Sequence, residues 1–247
     1  MALFSRQPPA RVMLDKPYYG QPDFAAEYDS QIGKYTAEFQ PILDYLCGHI
    51  DVTRQANVLE IGPGSGWIGI RLAQSHPAVR VTGIDSSAAF VAIANENSRR
   101  EGVADRATFT VGNAAEMKEF ADNAFDAVFS FQSMHYWDPL ECALNEIARV
   151  LKPSGLLCIG DDRRDMGLPG KLKMLLGRLY ISRRIGTAWA QSVFGCLTTA
   201  EAADALQRSR LRDQWQMAIR PRSMLITRKG PSEKRADGAF MISGVSS

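Results

Sequence analysis

The chain has 247 residues, of which 45% are hydrophobic and 23% are charged, the composition of an ordinary globular domain. Its formal net charge of +2 makes a weak field and excludes a general attraction to nucleic acid. Four cysteines and three histidines are scattered without zinc-ligand spacing, so we expect reduced thiols and no metal. No apolar segment approaches the ~18 residues of a membrane span, and the N-terminus lacks the apolar core of a signal peptide, which predicts a cytoplasmic protein.

The two ends of the chain differ from its middle. Residues 1–22 contain four prolines and no hydrophobic periodicity, which predicts an extended N-terminal arm. Residues 230–247 are predicted to be a disordered tail. A single folded domain is expected over residues 23–229, and it begins with a helical segment that Pro41 interrupts.

Short apolar segments alternate with helical ones along the middle of the chain. The predicted strands cover residues 57–61, 80–84, 107–111, 125–130 and 155–160, and the predicted helices cover 67–75, 87–102 and 139–151. Parallel neighbours require a long crossover, so this alternation predicts a parallel sheet with helices on both faces. Gly102 and Gly155 follow predicted helix ends, where a left-handed cap favours glycine. A helix over 198–209 and two strands joined around Arg220 and Pro221 predict a final antiparallel hairpin.

The first predicted strand runs into a glycine-rich loop, VLEIGPGSGWIG, at residues 58–69. Glycine is favoured where the backbone adopts a positive φ or approaches a ligand closely. The loop contains GxGxxG from Gly64 to Gly69, but in dinucleotide-binding folds the first glycine directly follows the strand, and here Gly62 does so. A P-loop is excluded, because no Gly-Lys-Ser or Gly-Lys-Thr follows. The better description is ExGxGxG, starting at Glu60 and stiffened by Pro63.

An acidic residue, Asp85, ends the second predicted strand, 19 residues after Gly66. An acid at this place accepts hydrogen bonds from ribose hydroxyls, which indicates a nucleoside ligand. Asp85 is also suited to cap the helix that follows, and the two roles are compatible. The negative charge of Glu60 is unfavourable beside a pyrophosphate and acceptable beside an ammonium group, which argues against a dinucleotide.

Five segments follow one another along the predicted sheet: VLEIGPGSG, GID, VGNAAEM, FDAVFSFQSMHYW and RVLKPSGLL. In this order they resemble the class I S-adenosylmethionine-dependent methyltransferases, and the resemblance extends from about Phe24 to Lys229. It implies an α/β fold with a Rossmann-like, doubly wound, seven-stranded and mostly parallel sheet that has an antiparallel C-terminal hairpin. It also implies an N-terminal helical cover at 24–29 and a helical lid insertion at 163–197. The implied cofactor is S-adenosyl-L-methionine, and its product is S-adenosyl-L-homocysteine.

The resemblance also implies roles for individual residues. Glu60 orients the methionine end of the cofactor, Asp85 grips the ribose, and Asn113 flanks the adenine where the family commonly has an aspartate. The residues implied to bind the cofactor are Tyr28, Glu60, Gly62, Pro63, Gly64, Ser65, Gly66, Asp85, Ser86, Asn113, Ala114, Ser130, Phe131 and Gln132.

Five residues are expected to line the substrate: Tyr19, His135, Tyr136, Trp137 and Asp161. His135 is a candidate catalytic base, since imidazole titrates near neutral pH, and a structural role before the next helix is the alternative. Tyr136 and Trp137 fit packing or pocket walls better than chemistry. Asp161 follows the fifth strand, at the rim where such sheets bind ligands, and either touches substrate or is simply solvated.

Residues 163–186 contain seven Lys or Arg against one acid, Asp165. An apolar face at helical spacing is formed by Leu172, Leu175, Leu176 and Leu179. The pattern indicates an amphipathic lid over the substrate opening. The alternative is a lid that also contacts an anionic membrane surface transiently.

Methyl transfer from a sulfonium requires mainly alignment of the reacting groups and exclusion of water, because the cofactor is already activated. SFQSMHYW stands where enzymes that methylate nucleic acid bases typically have an Asn/Asp/Ser-Pro-Pro-aromatic stretch, so a small-molecule acceptor is expected and no nucleic acid. The apolar and basic lid favours a hydrophobic or amphipathic acceptor, as in quinone, lipid and natural-product methylation. A non-catalytic S-adenosylmethionine-binding or scaffold protein and a nicotinamide-dependent oxidoreductase remain alternatives.

Overall fold

The computed structural model describes residues 11, 18–32, 40–177 and 182–228. The predicted tail and most of the predicted arm lie outside these residues, so both remain predictions. The helices are α1 (Pro22–Ile32), α2 (Gln40–His49), α3 (Trp67–Ser75), α4 (Ala88–Arg100), α5 (Leu140–Val150), α6 (Leu168–Gly177), α7 (Arg183–Gly195) and α8 (Thr199–Arg208), with a 3₁₀ turn at Met134–Tyr136. The strands are β1 (Ala56–Ile61), β2 (Val79–Asp85), β3 (Ala107–Val111), β4 (Phe125–Phe131), β5 (Leu151–Asp162), β6 (Trp215–Ile219) and β7 (Ser223–Arg228). Within the described ranges, no helix is long and apolar enough to cross a membrane.

One sheet contains all seven of these strands, in the order β3-β2-β1-β4-β5-β7-β6. The first five strands are parallel, and β7 runs antiparallel between β5 and β6. The strand order reverses between β1 and β4, and such a switch point opens a crevice at the carboxyl ends of the strands. The predicted seven-stranded, mostly parallel sheet with an antiparallel C-terminal hairpin is therefore confirmed.

Side chains of β1 divide the core between the two faces of the sheet. Val58 packs into a cluster with α2, α3 and α4, whereas Leu59 and Ile61 pack into a cluster with α5 and α8. Because side chains alternate along a strand, Glu60 points to the same face as Val58, toward α3. The alternation therefore places the buried Glu60 carboxyl group against α3, the helix that begins after the glycine loop.

The fifth strand is longer than the sequence predicts. It begins at Leu151, so the predicted cap Gly155 lies inside the strand, where a Cβ atom would come within 2.5 Å of Leu151 Cδ1. The register with β4 shifts between Phe125 and Ala127, which pair with Leu151 and Leu156, so the residues between these two leucines, Pro153 among them, bulge out of the pairing. Gly102, in contrast, follows α4 with a φ of +72°, as predicted for a left-handed cap.

Residues 163–197 contain two helices where the sequence predicted one amphipathic segment. On α6, Leu172 and Leu176 are exposed, while the Leu175 side chain and Leu179 lie outside the described parts. The second helix, α7, packs against α1 and the 3₁₀ turn. Its inward positions include Ala188 and Ser192, which are too small or too polar to give a clear hydrophobic period.

Candidate functional site

A cleft opens at the carboxyl edge of the sheet, and it encloses about 1190 Å³ of empty space including its mouth. Twelve of the fourteen residues implied to bind the cofactor line it, together with Tyr19, Tyr136 and Trp137. Among the described lining residues none is Lys or Arg, whereas Glu60 and Asp85 are both present. The electrostatic character of the cleft is therefore set by two carboxyl groups and by polar backbone.

Glu60 and Gly69 form one structural unit beneath the cleft. The Glu60 side chain is 2% exposed, and its Oε2 accepts a hydrogen bond from the Gly69 N–H at 3.1 Å. A Cβ atom on Gly69 would lie 2.4 Å from Oε2, so glycine is required there to admit the acid. Burial, opposed by the Gly69 hydrogen bond and reinforced by the nearby charge of Asp85, raises the pKa of Glu60 to about 8. Glu60 therefore carries its proton at neutral pH unless a cation approaches.

The other loop glycines serve different contacts. Gly62, Gly64 and Gly66 all have positive φ, at +69°, +54° and +82°. A Cβ atom on Gly62 would strike Ser133, and one on Gly66 would strike Phe109, whereas one on Gly64 would meet only Tyr28, at 3.9 Å. The expectation that every glycine serves ligand approach needs correction, because only Gly64 borders open space and the others make room for protein atoms.

Asp85 joins the glycine loop to α4. Its Oδ2 accepts from the Gly64 N–H at 3.1 Å, and its Oδ1 accepts from the Ser87 N–H at 2.9 Å. The N-cap of α4 is Ser87, whose Oγ accepts from the Phe90 N–H, so Asp85 is not itself the cap. Each carboxylate oxygen has a second lone pair, which leaves acceptor capacity directed by a fixed backbone frame.

The loops after β3 and β4 complete the polar rim. Asn113 Oδ1 accepts from the Ala115 N–H at 3.0 Å, so its amide nitrogen is the group best placed for a ligand. Gln132 has a φ of +54°, which is costly for a residue with a side chain, and its N–H donates to Gly160 O at 2.8 Å. This backbone conformation holds the turn between β4 and the 3₁₀ segment against the cleft.

Four residues that were expected in the site lie outside the lining of the cleft. Gly66 closes onto Phe109, and Ser130 faces Ser133 with their Oγ atoms 2.7 Å apart. His135 and Asp161 are 6% and 1% exposed, behind the lining residue Tyr136, whose ring centroid lies 4.1 Å from that of His135. The alternation of a strand and the turn of a short helix aim these side chains inward, which chain position alone does not reveal.

His135 and Asp161 form a buried pair. Asp161 accepts hydrogen bonds from the His135 N–H, from His135 Nδ1 and from the Asp162 N–H. His135 Nε2 is buried and has no hydrogen-bond partner within the described part of the chain. Cys196 lies beside the pair, so the three residues have the donor types of a metal site, but the carboxylate is already engaged by N–H groups. These three residues are far apart in the sequence, so no motif spacing predicted that they would lie together.

An aromatic wall closes one side of the cleft. The Tyr19 ring centroid lies 5.1 Å from that of Tyr136, 5.2 Å from that of Phe24 and 6.0 Å from that of Phe90. Burial raises the pKa of both phenols, so they are neutral donors. The Tyr19 carbonyl accepts from Ser87 Oγ, which attaches this wall to the start of α4.

Helix α1 is fastened over the cleft by Asp29. Its Oδ1 accepts from Trp67 Nε1 at 2.7 Å and from Asn97 Nδ2 at 2.9 Å. Asn97 Nδ2 also donates to Ser65 O at 3.0 Å, in the glycine loop. One carboxylate thus ties the cover to α3, to α4 and, through Asn97, to the loop beneath it.

Comparison with known proteins agrees with this architecture. Residues 59–159 match the family model of a methyltransferase domain. The 27-O-demethylrifamycin SV methyltransferase of Amycolatopsis mediterranei is 34% identical over 120 residues, which cover 49% of this chain and 43% of that protein. The chain spans about half the length of the curated relatives it matches.

Solved structures share the fold. A SAM-dependent methyltransferase from Aquifex aeolicus superposes with a TM-score of 0.59 at 17% identity, covering 84% of this chain and 97% of that one. The [4+2]-cyclase SpnF gives a TM-score of 0.53 at 22% identity, over 76% of this chain and 80% of that one. The fold is shared with these solved structures, and the match to a methyltransferase domain covers residues 59–159 of the chain.

Proposed function

We propose that this protein transfers a methyl group from S-adenosyl-L-methionine to a small, hydrophobic or amphipathic acceptor. The observation that carries the proposal is the pair of acids, Glu60 and Asp85, at the ends of adjacent strands in a cleft whose described lining has no Lys or Arg. These groups suit a ligand with an ammonium and ribose hydroxyls. They disfavour the pyrophosphate of a nicotinamide dinucleotide, which needs donors or cations.

Each polar group of the cleft has a role in holding this cofactor. Asp85 accepts from the ribose hydroxyls, and Asn113 donates to an adenine edge through its amide nitrogen. Glu60 ionises when the ammonium approaches and then provides the opposite charge. Gly64 lets the loop backbone approach, because a Cβ atom there would occupy open space. The bound cofactor supplies a methyl group activated by its sulfonium.

The acceptor is proposed to lie against the aromatic wall. Tyr19, Tyr136 and Trp137 line the same cleft and offer apolar surface with neutral hydroxyl donors. Such surfaces bury an apolar acceptor, exclude water and orient its nucleophile toward the methyl group. The curated relative named for 27-O-demethylrifamycin SV supports an acceptor of small-molecule type.

His135 is proposed as a base for acceptors that must lose a proton. Donation from Nδ1 to Asp161 places the lone pair of the imidazole on Nε2, which is buried and has no hydrogen-bond partner among the described residues. Because Tyr136 stands between His135 and the cleft, the proton is expected to pass by way of the Tyr136 hydroxyl or after a side-chain movement. His135 and Asp161 therefore keep a proton-accepting nitrogen, Nε2, behind Tyr136 of the aromatic wall.

An apolar acceptor also needs a route to the cleft. We propose that transient contact of residues 163–186 with a membrane surface supplies this route, since positive charge concentrates in this segment. A second candidate function is binding of S-adenosylmethionine without methyl transfer, because one fold can serve more than one activity, and a structure named as a [4+2]-cyclase shares this fold.

One experiment separates these functions. The protein is incubated with S-adenosylmethionine carrying a labelled methyl group and with a metabolite extract, and S-adenosylhomocysteine and labelled products are measured. Methyl transfer predicts both, with a product heavier by one CH₂ group. Cofactor binding in calorimetry without turnover would support the non-catalytic alternative, and tight binding of NAD instead would support an oxidoreductase.

A further inference from the structure

Large exposed hydrophobic side chains are concentrated on one part of the surface. Among the described residues, four of the five such side chains belong to α6 or to the β6–β7 hairpin. Leu168, Leu172 and Leu176 are 64%, 55% and 50% exposed, and Ile219 is 60% exposed. The remaining one, Val111, is on β3 at the opposite edge of the sheet. Contiguous exposed apolar groups of this kind mark interaction surfaces.

The three leucines form a row along α6. Their spacing of four residues places them on one side of the helix, one turn apart. Gly170 faces the opposite way and packs against the β6–β7 turn so closely that a Cβ atom would lie 2.4 Å from Pro221 O. The packed side of α6 is thus the one that carries Gly170, and the leucine row is the side that points to solvent.

Positive charge accompanies this apolar row. Residues 163–186 contribute seven Lys or Arg and one acid, a formal charge of +6, while the whole chain carries +2, so the rest of the chain is net acidic. Three of the seven cations are paired with acids, Arg163 with Asp165, Arg164 with Glu201 and Arg184 with Asp23. The sequence from 166 to 183 still contains four cations and no acid: Lys171, Lys173, Arg178 and Arg183. An apolar row flanked by cations complements the acyl chains and negative headgroups of an anionic lipid surface.

We propose that the leucine row of α6 forms a docking face for an anionic lipid surface. The proposal rests on the proposed function, because the docking face would provide the route by which an apolar acceptor passes from a membrane to the cleft. Leucines insert at the level of the headgroups, and the neighbouring Lys and Arg bind phosphate groups. The four cations between residues 166 and 183 select an anionic lipid surface over an apolar protein surface, which would gain nothing from them.

The test is flotation with vesicles of phosphatidylcholine alone and of phosphatidylcholine with phosphatidylglycerol. Wild-type protein is expected to float with the anionic vesicles, less at high salt, and not with the neutral ones. L172D/L176D should bind at least about tenfold more weakly, because two apolar side chains are lost and negative charge is added. V111D is the control, because it places one such negative charge on an equally exposed position away from the face, and it should float like wild type. L172D alone adds the same single charge as V111D on the face and should bind more weakly than V111D.

Calorimetric titration with S-adenosylhomocysteine keeps the two proposals apart and shows that L172D/L176D is folded. Wild-type protein that binds this ligand but not the anionic vesicles would overturn the docking face and leave the proposed function standing. Equal flotation of L172D/L176D and wild type would equally overturn it. Concentration-dependent dimerisation that L172D/L176D abolishes, without vesicle binding, would assign the face to a second copy of the chain and refute the lipid proposal.

Discussion

Asp161 holds His135 from two directions, because its carboxylate accepts from the His135 backbone N–H and from Nδ1, each at 2.9 Å. The backbone bond fixes the 3₁₀ turn, and the side-chain bond fixes the ring and its tautomer. A residue held in this way can be removed with separate effects on chemistry and on binding, since it does not line the cleft itself.

His135→Ala should lower kcat by roughly 10²- to 10⁴-fold, the usual contribution of a general base, and leave the dissociation constant of S-adenosylhomocysteine unchanged. Steady-state kinetics and calorimetry measure the two quantities. His49→Ala is the control, because His49 lies on α2 and not in the cleft. Loss of cofactor binding in His135→Ala would instead make the residue architectural.

Asp85→Ala should weaken S-adenosylmethionine binding by roughly 10- to 100-fold, because hydrogen bonds to a charged acceptor are lost. The variant also loses the acceptor for the Gly64 and Ser87 N–H groups, so thermal unfolding must be followed alongside calorimetry. Asp105→Ala, at an exposed acid outside the cleft, should bind as wild type. Unchanged affinity in folded Asp85→Ala would refute the ribose assignment.

Glu60 makes cofactor binding depend on pH. In the free protein its pKa is about 8, so it is protonated at neutral pH, and a bound ammonium lowers that pKa by favouring the charged form. Binding should therefore release a proton below pH 8, and affinity should rise with pH until about 8 and then level off. Calorimetry in buffers of different ionisation enthalpy measures the release.

Glu60→Gln is the matched control for this proton release, since its amide does not titrate and its oxygen can still accept from the Gly69 N–H. The variant should release no proton and show weaker, pH-independent binding over the same range. Equal proton release by both proteins would place the titrating group elsewhere.

Gly66→Ala and Gly102→Ala share a backbone strain but differ in packing. Both glycines have a φ near the same value, +82° and +72°, which costs about 1–2 kcal/mol for a residue with a Cβ. Only at Gly66 would that atom strike neighbours, Phe109 at 2.8 Å and Ala94 at 3.0 Å. Denaturant unfolding should show Gly66→Ala less stable than Gly102→Ala by a further ~1–3 kcal/mol. Equal losses would mean that the loop relaxes freely.

Asp29→Ala should loosen the cover formed by α1. The substitution removes the acceptor shared by Trp67 Nε1 and Asn97 Nδ2, at a net cost of about 1–3 kcal/mol for the two buried donors. We expect faster proteolysis within residues 22–32 and a higher dissociation constant for S-adenosylmethionine. Asp23→Ala, on the same helix but paired with Arg184 at the surface, is the control. Identical proteolysis of the two variants would show that the hydrogen bonds of Asp29 do not hold α1 in place.

Local patterns in the sequence were sufficient for the sheet and for much of the cleft. The apolar run that ends in Glu60, and the acid that ends β2, predicted which loops meet, because parallel strands bring their carboxyl ends to one edge. Contacts between distant segments could not be predicted in this way. His135 points into the protein because it is hydrogen-bonded to Asp161. Helix α1 is held by the hydrogen bonds of Asp29 to Trp67 in α3 and to Asn97 in α4. Such pairs are set by packing after the strands have assembled, and no spacing in the chain records them.

Gly69 has a role that extends beyond the single hydrogen bond it makes. Since its missing side chain is the space that the Glu60 carboxylate fills, the two positions cannot vary independently. An alanine at 69 becomes tolerable only if position 60 is shortened at the same time, and a shorter acid withdraws its charge from the loop above. A glycine at position 69 therefore indicates, in any descendant of this chain, that the first strand still presents a full-length acid to the cleft.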